Sequence, residues 1–140
     1  MIKDPVLNVL SFLMIPFIII FALYIQFHGD YIPGGGFQAG IIITTGIVLY
    51  SMLFGIFSTL KVIPYFMIKF VNMLGILIYG GVGIITVLFG KNFLSYDVLL
   101  SNGILSQKFG IFLVELGTML TVFSSMLIIY ISFTCSRNDD

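Results

Sequence analysis

A chain of 140 residues with 9% charged and 59% hydrophobic side chains, and a mean hydropathy of +1.18, cannot keep its surface in water; a soluble domain carries about 25% charged residues, so the natural solvent here is lipid. Its six basic and six acidic residues cancel, which excludes the electrostatic footprint of a nucleic-acid binder. One cysteine, Cys135, and one histidine, His28, exclude an internal disulfide, a thiolate cluster and a multi-histidine metal site within the chain.

Charges punctuate the sequence and mark four predicted helices. The first runs over Val6–Phe27 without a charge. It is longer than the ~7–15 residues of a signal-peptide core, and no small-residue cleavage site follows it, so it reads as a retained span. Pro16 should kink it. The second runs from Gly35 to Leu60, where Lys61 ends it; the third covers Val71–Phe89, between Lys69 and Lys91; the fourth covers Phe109–Phe133, between Lys108 and Arg137. Each is near or above the ~20 residues that cross a ~30 Å hydrocarbon layer at 1.5 Å per residue. Apolar runs this long lack the alternation of a membrane β-barrel. The expected fold class is therefore all-α integral membrane: four transmembrane helices in a single membrane domain over residues 1–140, with no soluble domain and no internal repeat.

Four crossings put both termini on one side. That side collects Lys3, Lys61, Lys69 and Arg137; the other holds Lys91 and Lys108. The positive-inside rule places both termini in the cytoplasm, N-in/C-in. The first loop, His28–Gly34, and the longest one, Lys91–Lys108, then face outward; the latter contains a turn signal, Ser101-Asn102-Gly103.

The segment His28-Gly29-Asp30-Tyr31-Ile32-Pro33-Gly34-Gly35-Gly36-Phe37-Gln38-Ala39-Gly40 is the most unusual. A proline followed by three glycines is costly in chain entropy. Pro33 presets φ for helix entry, and the glycines bare a helix N-terminus with its free N–H groups and positive dipole end. Two readings stay open: a polar access point or seat for a neighbour, and a tight hairpin between the first two helices. It is not a phosphate loop, because the lysine and hydroxyl residue of that motif are missing. Gly36 and Gly40 form a small-xxx-small pair, extended by Thr44. Gly75, Gly80, Gly81, Gly83 and Gly90 follow in and after the third helix, with Thr86 near the Gly83/Gly90 face. Gly117, Thr121, Ser124 and Ser125 lie along the fourth. Small residues on three helices suggest packing against more protein than this chain supplies.

Glu115 is the one acidic residue within a predicted span, about a turn and a half from the outer end of the fourth helix. An ionised carboxylate in lipid is expensive, so it should face protein or a wet cavity. It shares a face with Ile111, Thr118, Met119 and Val122, opposite Gly117, Thr121 and Ser124, as expected of a helix sandwiched between subunits. Glu115 is a candidate step in a cation or proton path, against the plainer reading of a structural carboxylate. His28 and Asp30, at the outer end of the first helix, are weaker candidates for the same path; His28 could titrate near neutral pH or simply sit at a wet interface. Lys91 and Asp97 lie in the outer loop. No nucleophile–base–acid arrangement is visible, so the chain is expected to be no enzyme, with no catalytic residue, no bound metal and no cofactor.

These residues resemble a family. Gly29, Pro33-Gly34-Gly35-Gly36-Phe37 and Gly40 after a first helix, Gly90-Lys91-Asn92-Phe93 after the third, and Gly110-Ile111-Phe112-Leu113-Val114-Glu115-Leu116-Gly117 in the last are together similar to the MnhB/MrpB proteins, the B subunits of multi-subunit cation/proton antiporters. The three matches come in order across nearly the whole chain. Two positions depart from the pattern: Asp30 stands where many members have histidine, and Ala39 where many have glycine. The resemblance implies a subunit of a hetero-oligomeric complex in the bacterial inner membrane that exchanges sodium, or another monovalent cation, for protons, with the other antiporter subunits and lipid as partners. A membrane-arm subunit of a related redox-driven complex of the membrane-bound hydrogenase type is the main alternative. A small standalone exporter is a third, and it would be expected to carry an acidic residue in the first helix, which has none.

Overall fold

A computed structural model describes residues 5–29, 34–96 and 103–138. The chain is all-helical: α1 (Pro5–Phe27), α2 (Gly36–Phe54), a short α3 (Ile56–Val62), α4 (Tyr65–Leu88) and α5 (Gly103–Asn138). Among the described residues there is no strand. Four of these helices, all but α3, are long and apolar enough to cross a membrane.

Three helix limits differ from those expected, each for a local reason. The second span stops at Phe54 because Gly55 takes φ 85°, a backbone region that favours glycine; the chain then restarts as α3. The third begins at Tyr65, straight after Pro64, and so contains Lys69 rather than starting beyond it. The Lys69 ammonium lies 4.6 Å from the centre of the Tyr65 ring, reaching back one turn toward the helix end. The last helix runs 36 residues from Gly103 and takes in Lys108. Of the turn signal before it, Gly103 is the first helical residue, and Ser101 and Asn102 lie outside the described residues. Pro16 lies inside an α1 that is helical along its whole length.

In space the spanning helices form a row, α1–α2–α5–α4. α5 is the centre, with α2 on one face and α4 on the other, and the contacts are close because glycines make them. A Cβ on Gly36 would overlap the main-chain carbonyl of Glu115; one on Gly40 would lie 2.8 Å from the Met119 carbonyl oxygen and 3.1 Å from the Val122 Cβ. One turn on, the Thr44 hydroxyl donates to the Gly40 carbonyl at 2.8 Å and lies 3.4 Å from that of Phe123. On the opposite face a Cβ on Gly75 would meet the Thr121 nitrogen at 2.8 Å and the Gly117 carbonyl at 2.9 Å. In lipid there is no hydrophobic drive between helices, so close backbone approach and van der Waals contact do the joining. At the far end Ile56, Ile68, Leu127 and Ile131 form a buried apolar cluster, and the Tyr130 hydroxyl donates to Ser51 Oγ at 3.3 Å.

This corrects one expectation. The two small or polar faces of α5 are filled by α2 and α4 of the same chain, not left for other subunits. Gly36, Gly40, Gly75 and Gly117 are used internally, whereas a Cβ on Gly80 or Gly81 would have nothing within 4 Å among the described residues. Gly83 also has an internal role. The Phe93 ring fills its missing side-chain position, and buried Thr86 accepts from the Leu94 N–H at 3.0 Å while donating to the Gly83 carbonyl at 2.8 Å. The segment after α4 is thereby folded back onto the helix end.

Candidate functional site

α2 runs parallel to α5 and begins level with Glu115. That level is about 12 residues into α5, or roughly 18 Å from its first residue at 1.5 Å per residue. The N-terminus of α2 is therefore recessed relative to the start of α5, and Lys108 stands about two turns above Glu115 on the same helix.

The carboxylate of Glu115 reaches into this recess. A Cβ built on Gly29 would lie 3.2 Å from both of its oxygens, and one on Gly35 would lie 3.3 Å from Oε1. Glu115 is thus held between the end of α1 and the N-terminus of α2. First-turn N–H groups of a helix lack intrahelical partners and carry the positive end of its dipole. Gly35, the N-cap, makes no side-chain cap. The glycines serve close approach: Gly35 has φ −164°, ordinary extended backbone, and what any larger residue would lack at these places is room.

Beside the carboxylate lies a small cavity of about 40 Å³ lined by Gln26, Phe27, Gly29, Lys108, Ile111, Phe112 and Glu115. Lys108, Ile111, Phe112 and Glu115 are spaced three, four and seven apart and so share one face of α5. Phe27 of α1 stacks on Phe112 with ring centres 5.9 Å apart at 22°, closing one side. Gln26 is 2% exposed, and among the described residues neither its amide oxygen nor its nitrogen has a hydrogen-bond partner.

The candidates expected from sequence are distributed unevenly. Glu115, Gly29, Gly34, Gly35 and Gly36 come together: a Cβ on Gly34 would meet the Ile25 and Gln38 side chains at 2.9 Å, and Gly36 is buried on Glu115. Gly40 packs one turn deeper, and Phe37 is exposed. His28 is exposed and engaged with its own helix; its Nδ1 is 3.1 Å from the Tyr24 carbonyl oxygen and its ring stacks on Tyr24 at 4.4 Å. It does not line the cavity. Asp30, Pro33 and Asp97 lie outside the described residues. Gln26 was missed by sequence reasoning. The available signal was an amide in the last turn of an otherwise apolar stretch, Ile18–Phe27. Among the described residues no three His, Cys, Asp or Glu side chains gather as a metal site.

Four membrane-length helices in a row, with a carboxylate held between glycines at the end of α1 and the start of α2, define a small multi-pass membrane protein. A family model described as "Domain related to MnhB subunit of Na+/H+ antiporter" matches residues 6–128, and the chain belongs to this MnhB family. It is 30% identical over 139 residues to "Putative antiporter subunit mnhB2" of Staphylococcus aureus strain Newman, with 97% of this chain and 98% of the relative covered. The proteins of the same name from strains JH1 and Mu3 match to the same extent. A family of antiporter subunits is one of transporter components rather than enzymes.

Proposed function

We propose that this chain is a non-catalytic membrane subunit of a hetero-oligomeric Na+/H+ antiporter in the bacterial inner membrane, and that Glu115 lines part of the ion path. The observation that carries the path assignment is the seat of the Glu115 carboxylate, within reach of Gly29 and Gly35 and beside a cavity with polar walls. A carboxylate embedded in a span is expensive unless it faces protein or water, and here it has both a protein seat and a cavity. His28 and Asp30 belong to the same link in sequence, and the His28 ring is engaged with Tyr24.

The subunit reading is supported by the scarcity of embedded charge. One carboxylate in four spans is too little machinery for a standalone exchanger. Both termini are assigned to the cytoplasm by the excess of basic residues on their side. The chain carrying an affinity tag, purified in mild detergent from its own host, tests the assignment. Co-purification of the other antiporter subunits is the expected result; hydrogenase-type subunits in their place, or the chain alone, would overturn it.

A further inference from the structure

We infer that the cavity between Gln26 and Glu115 is a hydrated proton site, in which one or two water molecules bridge the buried amide to the carboxylate. The inference rests on the reading of Glu115 as part of the ion path and names the ion handled at that point as the proton. Gln26 carries it. A carboxamide that is 2% exposed presents an acceptor oxygen and two N–H donors, and none of these finds a partner among the described residues. Buried polar groups are almost always satisfied by protein or ordered water, and a water both donates and accepts. The adjoining cavity, about 40 Å³, exceeds the roughly 10–15 Å³ that one water requires.

Sodium fits the same walls poorly. It would engage the Gln26 oxygen but leave the N–H donors facing a cation, and Lys108 contributes a cationic side chain to the lining. A proton needs only a chain of hydrogen bonds. One O–H bond of a hydronium breaks as one forms on a Glu115 oxygen, leaving a neutral water, and the reverse hop returns the proton. Among the described residues, the titratable groups facing this end of the bundle besides Glu115 are Lys108 on its own helix and Tyr24 and His28 at the end of α1; the α2 turn facing it contributes none. α4 occupies the other face of α5.

The test uses the purified multi-subunit complex and two readouts. Hydroxyl-radical footprinting with pulsed X-rays activates bound water in place, so the Phe27 and Phe112 rings should be oxidised in the native complex. In Gln26→Leu that oxidation should fall several-fold. In reconstituted vesicles Gln26→Leu should slow proton-coupled exchange by roughly tenfold, as for one hydrogen bond lost from a proton path. Its half-saturating sodium concentration should stay unchanged, and Gln26→Glu should restore much of the rate. Unchanged oxidation of both rings in Gln26→Leu would overturn the inference, as would a weakened sodium affinity at an unchanged rate. Oxidation lost with exchange fully intact would uphold the hydrated cavity while removing it from transport, which is failure of the ion-path reading. A variant that does not assemble is replaced by Gln26→Met, which keeps the side-chain length and removes the hydrogen-bonding atoms; the same outcomes then decide.

Discussion

Gly36 rests directly on the main chain of Glu115: a methyl group in place of its hydrogen would overlap the Glu115 carbonyl. The two residues lie far apart in sequence, yet the first turn of one helix and the carboxylate-bearing turn of another are joined through the smallest side chain available. The level at which α2 begins, and with it the recess around the carboxylate, depends on that contact.

Gly36→Leu should therefore push α2 away from α5. Overpacking costs typically about 1–3 kcal/mol, and here the obstruction is backbone, which cannot rotate aside. The expected outcome is a marked fall in the amount of assembled complex, read from subunit levels in purified membranes. Wild-type assembly with wild-type exchange would mean that this contact is not made.

Gly75→Leu should act in the same way on the other side of α5, because its Cβ would meet the Thr121 nitrogen at 2.8 Å and the Gly117 carbonyl at 2.9 Å. Gly80→Ala is the matched control. Among the described residues nothing would lie within 4 Å of its Cβ, and alanine favours a helix by about 1 kcal/mol over glycine. Thermal unfolding of the isolated chain in detergent should show Gly75→Leu lowered and Gly80→Ala equal or raised.

The contrast between these glycines shows how far the sequence could be read. Apolar runs announced four spans, and the small-residue spacing of Gly36, Gly40 and Thr44 announced a contact face. What the sequence could not say was whose backbone those faces met. Glycine spacing reports that something comes close, and the answer, α5 with both faces taken by α2 and α4, depends on tertiary arrangement. Charges misled at Lys69 and Lys108, since a long side chain can leave a helix body and reach toward its end. Gln26 escaped notice because one amide near a helix end looks like an interfacial residue; only its burial makes it unusual.

Cys135 offers a direct test of orientation. It is the sole cysteine, unpaired and partly exposed near the C-terminal end of α5. With both termini cytoplasmic, a membrane-impermeant thiol reagent should label it in inverted vesicles and not in intact cells. The reverse pattern would invert the topology.

The chain by itself should not exchange ions. Purified protein in liposomes, with a pH gradient imposed and sodium added, should show no sodium-dependent proton flux. Flux from the single chain would overturn the subunit reading.

The central claim is that the Glu115 carboxylate serves transport and not only structure. The most direct measurement is sodium/proton exchange in vesicles from cells carrying Glu115→Gln, with subunit levels quantified beside it so that failed assembly is not taken for lost transport. Glutamine keeps the shape and hydrogen-bonding reach while removing the titratable group. The complex should assemble while exchange falls by roughly tenfold or more, as for loss of a positioned proton carrier. Full exchange with an unchanged pH profile in the assembled Glu115→Gln complex would contradict the account.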